Sequence, residues 1–279
     1  MSVVAREEIR TSAKPGGRAE SRKLPLYVET IGLRILALVI FLAAWEATVA
    51  TGILTEFWIS RPALVFNRLI EMLITKATIW DHLQATLVEA LTGLAGGAFL
   101  GIISGFALAK WRRVQVALDP YVMGIYGLPR VALAPLFIMW LGIGVASKIV
   151  LAGFVTYFVL LISTHVGVKQ VDNDLINAVK TMGGQGSFLV RKVILPGCVP
   201  FILSGMRIGL GLSLTGAVVA ELLAAQKGIG WVIARASGTF DTTGVFASLV
   251  VLAVVAVLLN EGMKKIEQYL LRWQGEVVL

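Results

Sequence analysis

The chain has 279 residues, of which 57% are hydrophobic and only 15% charged, against roughly 45–50% and 25% in soluble globular domains. A mean hydropathy of +0.83 calls for a bilayer around much of the surface, which excludes a water-soluble globule. The single cysteine, Cys198, excludes a disulfide scaffold, and the net charge of +8 has to be read from where the basic residues fall relative to the apolar runs.

Residues 1–34 are polar, interrupted by Pro15, Gly16, Gly17 and Pro25, and carry charges of both signs. They read as a mobile cytoplasmic tail. The tail is too long for the charged region of a cleaved signal peptide, so the first span is expected to stay as an anchor. From residue 35 to 279 the sequence reads as one membrane domain. A hydrocarbon core of about 30 Å takes roughly 20 apolar residues per helix, and six stretches qualify. The first, Ile35 to Leu54, carries only Glu46. Beyond it Ser60-Arg61-Pro62 is a helix start, and Val65, Phe66, Leu69, Ile70 and Leu73 recur at helical spacing opposite Asn67, Arg68 and Glu71. This pattern predicts an interfacial helix over 62–75 on the outer leaflet.

The second span, Leu83 to Ala109, carries only Glu89 and contains a four-residue ladder, Gly93, Gly97, Gly101 and Gly105, with Gly96 alongside. Such a stripe lets another helix approach closely in lipid. That helix belongs either to another subunit or to the same bundle. The third span, Pro120 to Ile143, holds Pro120, Pro129 and Pro135, with Arg130 beside the second. Proline removes a helix hydrogen bond and clashes with the preceding turn, so this span is expected to be kinked or partly unwound. Irregular backbone at membrane depth is tolerated where it is buried in protein or lines a cavity, which makes Pro129, Arg130 and Pro135 pathway candidates. The alternative for Arg130 is a pair with Asp119 or a headgroup. The fourth span, Ile149 to Val168, has no formal charge and one histidine, His165.

Residues 169–200 are the only long connection on the basic side. Asp172-Asn173-Asp174 starts a helix, Leu175, Ile176, Val179 and Met182 give it an apolar stripe, and Gly183-Gly184 ends it. A second short helix is expected to run to Leu195 and stop at Pro196. The exposed apolar stripe needs cover, either a partner groove or the membrane surface. The fifth span, Phe201 to Ala225, carries Arg207 and Glu221, and the sixth, Thr242 to Asn260, carries no charge. Intramembrane carboxylates are functional candidates by default. Glu221 is the foremost of Glu46, Glu89 and Glu221; its alternative is to pair with a helix dipole or a hydroxyl. No alternating strand pattern accompanies these spans, so the fold is all-α.

Lys and Arg divide seventeen to six between alternate connections, the majority falling in 1–34, 110–118, 169–200 and the tail from 261. Both termini are therefore expected in the cytoplasm. The same asymmetry accounts for the basicity, so no nucleic-acid partner is expected. His82 and His165 are isolated from each other and from Cys198, and neither a metal site nor an enzyme active site is expected. No Gly-x-x-x-x-Gly-Lys-Ser/Thr run exists to bind ATP. Energy for uphill transport would come from another chain or from an ion gradient.

Asn177-Ala178-Val179, three residues, Gly183, nine residues, then Val193-x-Leu195-Pro196 resembles the coupling loop of binding-protein-dependent ABC transporter permeases. The family's pattern is Glu-Ala-Ala, three residues, Gly, nine residues, Ile-x-Leu-Pro. Pro129-x-x-Ala132-x-x-Pro135-Leu136, Trp140-x-Gly142-Ile143-Gly144, Gly205-x-Arg207-x-Gly209-Leu210-Gly211, Ala220-Glu221 and Leu270-Leu271-Arg272-Trp273 are similar to the nitrate, sulfonate and taurine branch. Asn177 and Val179 depart from the loop's Glu and second Ala, and Tyr126 stands where many relatives have Arg.

The resemblance implies a type I ABC importer permease in a bacterial inner membrane. It would work with a second, identical permease chain, cytoplasmic ATPase subunits carrying ATP and Mg, and an extracytoplasmic solute-binding protein. The loop helix, with Asn177, Ala178, Val179, Met182 and Gly183 and then Val193, Leu195 and Pro196, would dock on the ATPase. No cofactor is expected in this chain itself. Arg130 and Arg207 against the single carboxylate Glu221 favour a small anionic or zwitterionic solute, such as a sulfonate, taurine or nitrate. The competing class is an ion-coupled secondary transporter relaying protons through Glu46, Glu89 or Glu221, which predicts repeated halves that the sequence does not display.

Overall fold

The computed structural model describes residues 26–273, and among these every regular element is helical. In chain order they are α1 (Leu26–Ala50), α2 (Pro62–Ile70), a π turn (Glu71–Thr75), α3 (Ile79–Lys110), α4 (Arg112–Gly127), a 3-10 turn (Arg130–Leu133), α5 (Ala134–Leu141) and α6 (Val145–Lys169). Then come α7 (Asn173–Thr181), α8 (Ser187–Leu189), a second π turn (Val190–Ile194), α9 (Leu195–Leu223), α10 (Ile229–Gly238) and α11 (Thr242–Leu270). Most of the predicted tail lies outside the described residues. Helix α1 starts at Leu26, directly after Pro25, so the first span begins earlier than residue 35.

The glycine ladder determines the core. A Cβ on Gly93 would come within 2.6 Å of Ala152 Cβ, one on Gly101 within 2.5 Å of the Tyr157 carbonyl and one on Gly105 within 2.7 Å of the Leu161 carbonyl. A Cβ on Gly97 would run into the Gly153 carbonyl. The stripe therefore meets α6 of the same chain, backbone against backbone, and the two helices advance together. Helix α9 runs the other way against both: Gly205 faces Ser163, Gly209 faces Thr156, and Gly216 faces Ala152. These three helices bury Ala90, Leu94, Ala98, Ala152, Leu160, Leu214 and Ala217.

Because α3 and α6 are parallel, Lys110 and Val145 lie at opposite ends of the bundle, and residues 111–144 must return across it. That return is the predicted third span, and it is not one helix. Leu128 is extended (φ −65°, ψ 143°), the conformation that a following proline favours. Pro135 sits in the first turn of α5, where its missing N–H is not needed. Among the described residues five helices are long and apolar enough to cross a membrane, and the sixth passage is this broken one.

The helix expected over 62–75 is helical throughout, α2 passing into the π turn; Val65 is buried, and Leu69 and Leu73 pack on the cluster that holds Ile79 and Ile229. Two further differences concern turns and connections. Pro196 does not stop a helix. The π turn at Val190–Ile194 precedes it, and Pro196 occupies the first turn of α9, so the helical run continues from Ser187 to Leu223. Helix α10 falls within a connection that the sequence leaves unassigned.

Contacts at the bundle ends place the termini. Glu46 accepts from Arg61 Nε at 2.7 Å, Ser60 bonds Thr243 at 2.7 Å, and Trp45 packs on Phe246, so α1 ends where α11 begins. At the opposite end Arg207 pairs with Glu267 and Gly167 packs on Cys198 and Phe201. The start of α1, the end of α11 and α7 therefore share one end.

Candidate functional site

Helix α7 is a short amphipathic helix with both ends fixed. Asp172 Oδ1 accepts the Asp174 N–H at 2.8 Å, capping the start. At the other end Gly184 N–H bonds the Val179 carbonyl at 2.9 Å and Gly183 N–H the Lys180 carbonyl at 3.0 Å, with Gly183 at φ +84°. This is the Schellman arrangement, which needs a left-handed residue and so favours glycine. Gly184 has its own constraint, since a Cβ there would lie 2.6 Å from Val179 Cγ1. The helix is covered on one side only: Ile176 and Val179 are half-buried, whereas Asn177 and Ala178 are exposed and Leu175 and Met182 are 58% and 85% exposed. Val193 and Pro196 are half-buried in the run that leads back into the membrane, and Leu195 is exposed.

The broken passage forms the wall of a cavity of about 240 Å³ with α6 and α9, lined by Leu128, Pro129, Leu151, Val155, Leu212, Thr215, Gly216 and Val219. Of the pathway candidates whose side chains are described, only Pro129 lines it. Pro135 lies one turn further on, in α5. Arg130 opens the 3-10 turn, and its side chain lies outside the described residues. Arg207 and Glu221 are elsewhere. Arg207 is paired with Glu267 of α11 near the end that carries α7. Its charge is already compensated, which removes one of the two arginines from which an anionic pathway is expected.

Glu221 is 1% exposed, and its carboxylate ties three helices together. Oε1 accepts from Thr86 Oγ1 of α3 at 2.7 Å, and Oε2 accepts the Gly230 N–H at the start of α10 at 2.7 Å. Thr86 Oγ1 in turn accepts the Ile229 N–H at 2.8 Å. Two of the unsatisfied N–H groups at the start of α10 are thus met inside the bundle, where water cannot meet them. Gly228, at φ +116°, leaves room for the carboxylate, which a Cβ would strike. Glu221 thus makes the contacts of the alternative expectation, with a helix start and a hydroxyl. Nearby, Lys148 Nζ donates to Glu89 Oε1 at 2.8 Å, with the two side chains 6% and 2% exposed. Gly228 N–H donates to His82 Nδ1 at 3.2 Å, and that ring stacks on Trp231.

Sequence reasoning misses Lys148 and α10. Lys148 lies just before the predicted fourth span and is counted as a loop charge. Its signal is Glu89, a carboxylate that needs a cation. The signal for α10 is Gly228-Ile229-Gly230 following a membrane carboxylate.

Residues 97–269 match the family described as binding-protein-dependent transport system inner membrane component. The chain is 31% identical to the taurine transport system permease protein TauC of Escherichia coli (strain K12), over 99% of this chain and 100% of that one. It is 35% identical to the riboflavin transport system permease protein RibX of Chloroflexus aurantiacus, over 88% and 91%. Among solved structures, the inward-facing MetNI methionine ABC transporter superposes with a TM-score of 0.62 at 18% identity, covering 70% of this chain and 98% of that one. This superposition shares the fold of an ABC importer permease. The chain thus belongs to the binding-protein-dependent transport system inner membrane components, as the permease subunit of an ABC importer.

Proposed function

We propose that this permease imports a small sulfonate, with taurine and related acids as the nearest chemistry, and that α7 transmits the work of a cytoplasmic ATPase. The observation that carries the coupling role is α7 itself. It is capped at both ends, held on one side by Ile176 and Val179, and presents Leu175, Asn177, Ala178 and Met182 outward. Such a face fits a groove on a partner. The end that bears α7 also bears the start of α1, the end of α11 and the Lys- and Arg-rich connections, which supports a cytoplasmic position for it. Two identical copies would enclose the pathway, and a solute-binding protein would deliver from outside. This chain supplies passage and coupling, while ATP and Mg are held by the ATPase.

Support for the solute class comes from the taurine permease, which matches this chain from end to end. The riboflavin permease shows that relatives of this kind also serve an uncharged ring system. The test is purification of the intact complex, followed by uptake into vesicles with ATP and the binding protein. Taurine, an alkanesulfonate, nitrate and an aromatic carboxylate are compared with a neutral pyrimidine. Uptake of a sulfonate supports the reading. Uptake of the pyrimidine alone contradicts the solute class and leaves the importer standing.

A further inference from the structure

The corner between α3 and α4 gathers Lys110, Arg112 and Arg113, with Trp111 among them, and all four are exposed. Trp111 (φ −111°, ψ 88°) separates the two helices, and Lys110 Nζ lies 5.5 Å from the centre of its ring. None of the three cations pairs with a carboxylate among the described residues, and Asp119, the first carboxylate after them, pairs with none of them. At the other end of the bundle Arg61 pairs with Glu46, Arg68 with Asp241 and Lys76 with Glu71. The corner thus holds positive charge that the protein itself does not compensate.

Its flanks place the corner at the edge of the bilayer. Phe99, Leu100 and Ile103 on α3 before it are exposed, and so are Val114 and Val116 on α4 after it. Apolar surface on both sides gives way to charge only at the turn, as hydrocarbon gives way to headgroups. We propose that this corner binds the headgroup of an anionic phospholipid, with the three cations toward its phosphate and Trp111 at the boundary with the acyl chains. A protein partner in the aqueous phase is better served by α7, whereas the apolar flanks here keep the charges at membrane level. Gly105 lies against Thr164 of α6, which sets the corner at the end that carries α7. Its assignment to the inner leaflet rests on the cytoplasmic reading of that end; the headgroup site does not.

The test places the full chain, with whatever subunits accompany it, in nanodiscs of mixed phosphatidylglycerol and phosphatidylcholine. Native mass spectrometry then reads the ratio of the two lipids that stay bound. Nanodiscs expose both leaflets, so the result depends neither on orientation nor on the presence of an ATPase. The parent should retain phosphatidylglycerol preferentially. Lys110→Gln, Arg112→Gln and Arg113→Gln should each lower the ratio by up to about fivefold, and Arg112→Lys should keep most of it. Lys76→Gln removes a paired cation at the other end and should leave the ratio unchanged. A parent without preference overturns the proposal, as do three glutamine variants that keep the parent's ratio or a Lys76→Gln that lowers it equally. Displacement of the lipid by excess inorganic phosphate would assign the corner to a free anion and overturn it too. Loss of the ATPase from the glutamine variants in detergent without anionic lipid would give the corner to that protein instead.

Discussion

Glu89 and Lys148 form a buried pair, 1% and 5% exposed, beside a cleft of about 320 Å³ that Glu89 lines. Removing one member of such a pair costs about 3–5 kcal/mol, whereas replacing both by neutral groups of similar size is close to neutral. Lys148→Met should therefore lower thermal stability in detergent steeply, and adding Glu89→Gln should restore most of it. Glu221 behaves differently: besides the neighbouring Glu89, its partners are the Thr86 hydroxyl and the Gly230 N–H. Glu221→Ala leaves the Gly230 N–H unmatched, at about 1–3 kcal/mol for a buried group, and leaves the Thr86 hydroxyl only the His82 carbonyl. Glu221→Gln keeps an acceptor oxygen and should lose less. If thermal melting ranks the two substitutions equally, the carboxylate does not hold the start of α10.

At the scale of elements, Gly96 and Gly97 are neighbours with opposite surroundings. A Cβ on Gly97 strikes the Gly153 carbonyl, while one on Gly96 meets nothing within 4 Å. Gly97→Ala should destabilise by about 1–3 kcal/mol through overpacking. Gly96→Ala should be neutral or stabilise by up to about 1 kcal/mol. The same melting measurement compares them. The ladder, the break and α7 were legible in the sequence because each is a local pattern: a four-residue spacing, paired prolines, and a capped apolar stripe. Lys148 and α10 were not. The partner of Glu89 depends on the register of α3 against α6, and α10 is a ten-residue helix whose start is satisfied by a side chain from another element. Pro196 was misread because a π turn, which leaves no sequence signature here, lets the helix run on through it. In α7, Gly183→Leu places a bulky side chain where φ is +84°, against a left-handed cost of roughly 1–2 kcal/mol. The chain should still insert, but its association with the ATPase should fall in co-purification. Undiminished association would separate α7 from coupling.

For the whole molecule, the parallel course of α3 and α6 forces a return passage and fixes an even number of crossings once α1 is included. The start of α1 and the end of α11 then lie with α7. Cysteine labelling reads this directly, because Cys198, the only native cysteine, is fully buried. Arg68→Cys and Lys227→Cys should react from outside intact cells, and Arg18→Cys and Gln268→Cys only after permeabilisation. The larger claim is that ATP hydrolysis by a partner, acting through α7, drives the passage, and that no membrane carboxylate of this chain relays protons. The most direct measurement is solute uptake into vesicles containing the complex, with ATP or an imposed proton gradient supplied separately. ATP alone should drive uptake in the parent, and Leu175→Asp with Met182→Asp should abolish it while the chain remains inserted. Uptake driven by the gradient without ATP, and unaffected by those substitutions, would contradict the account.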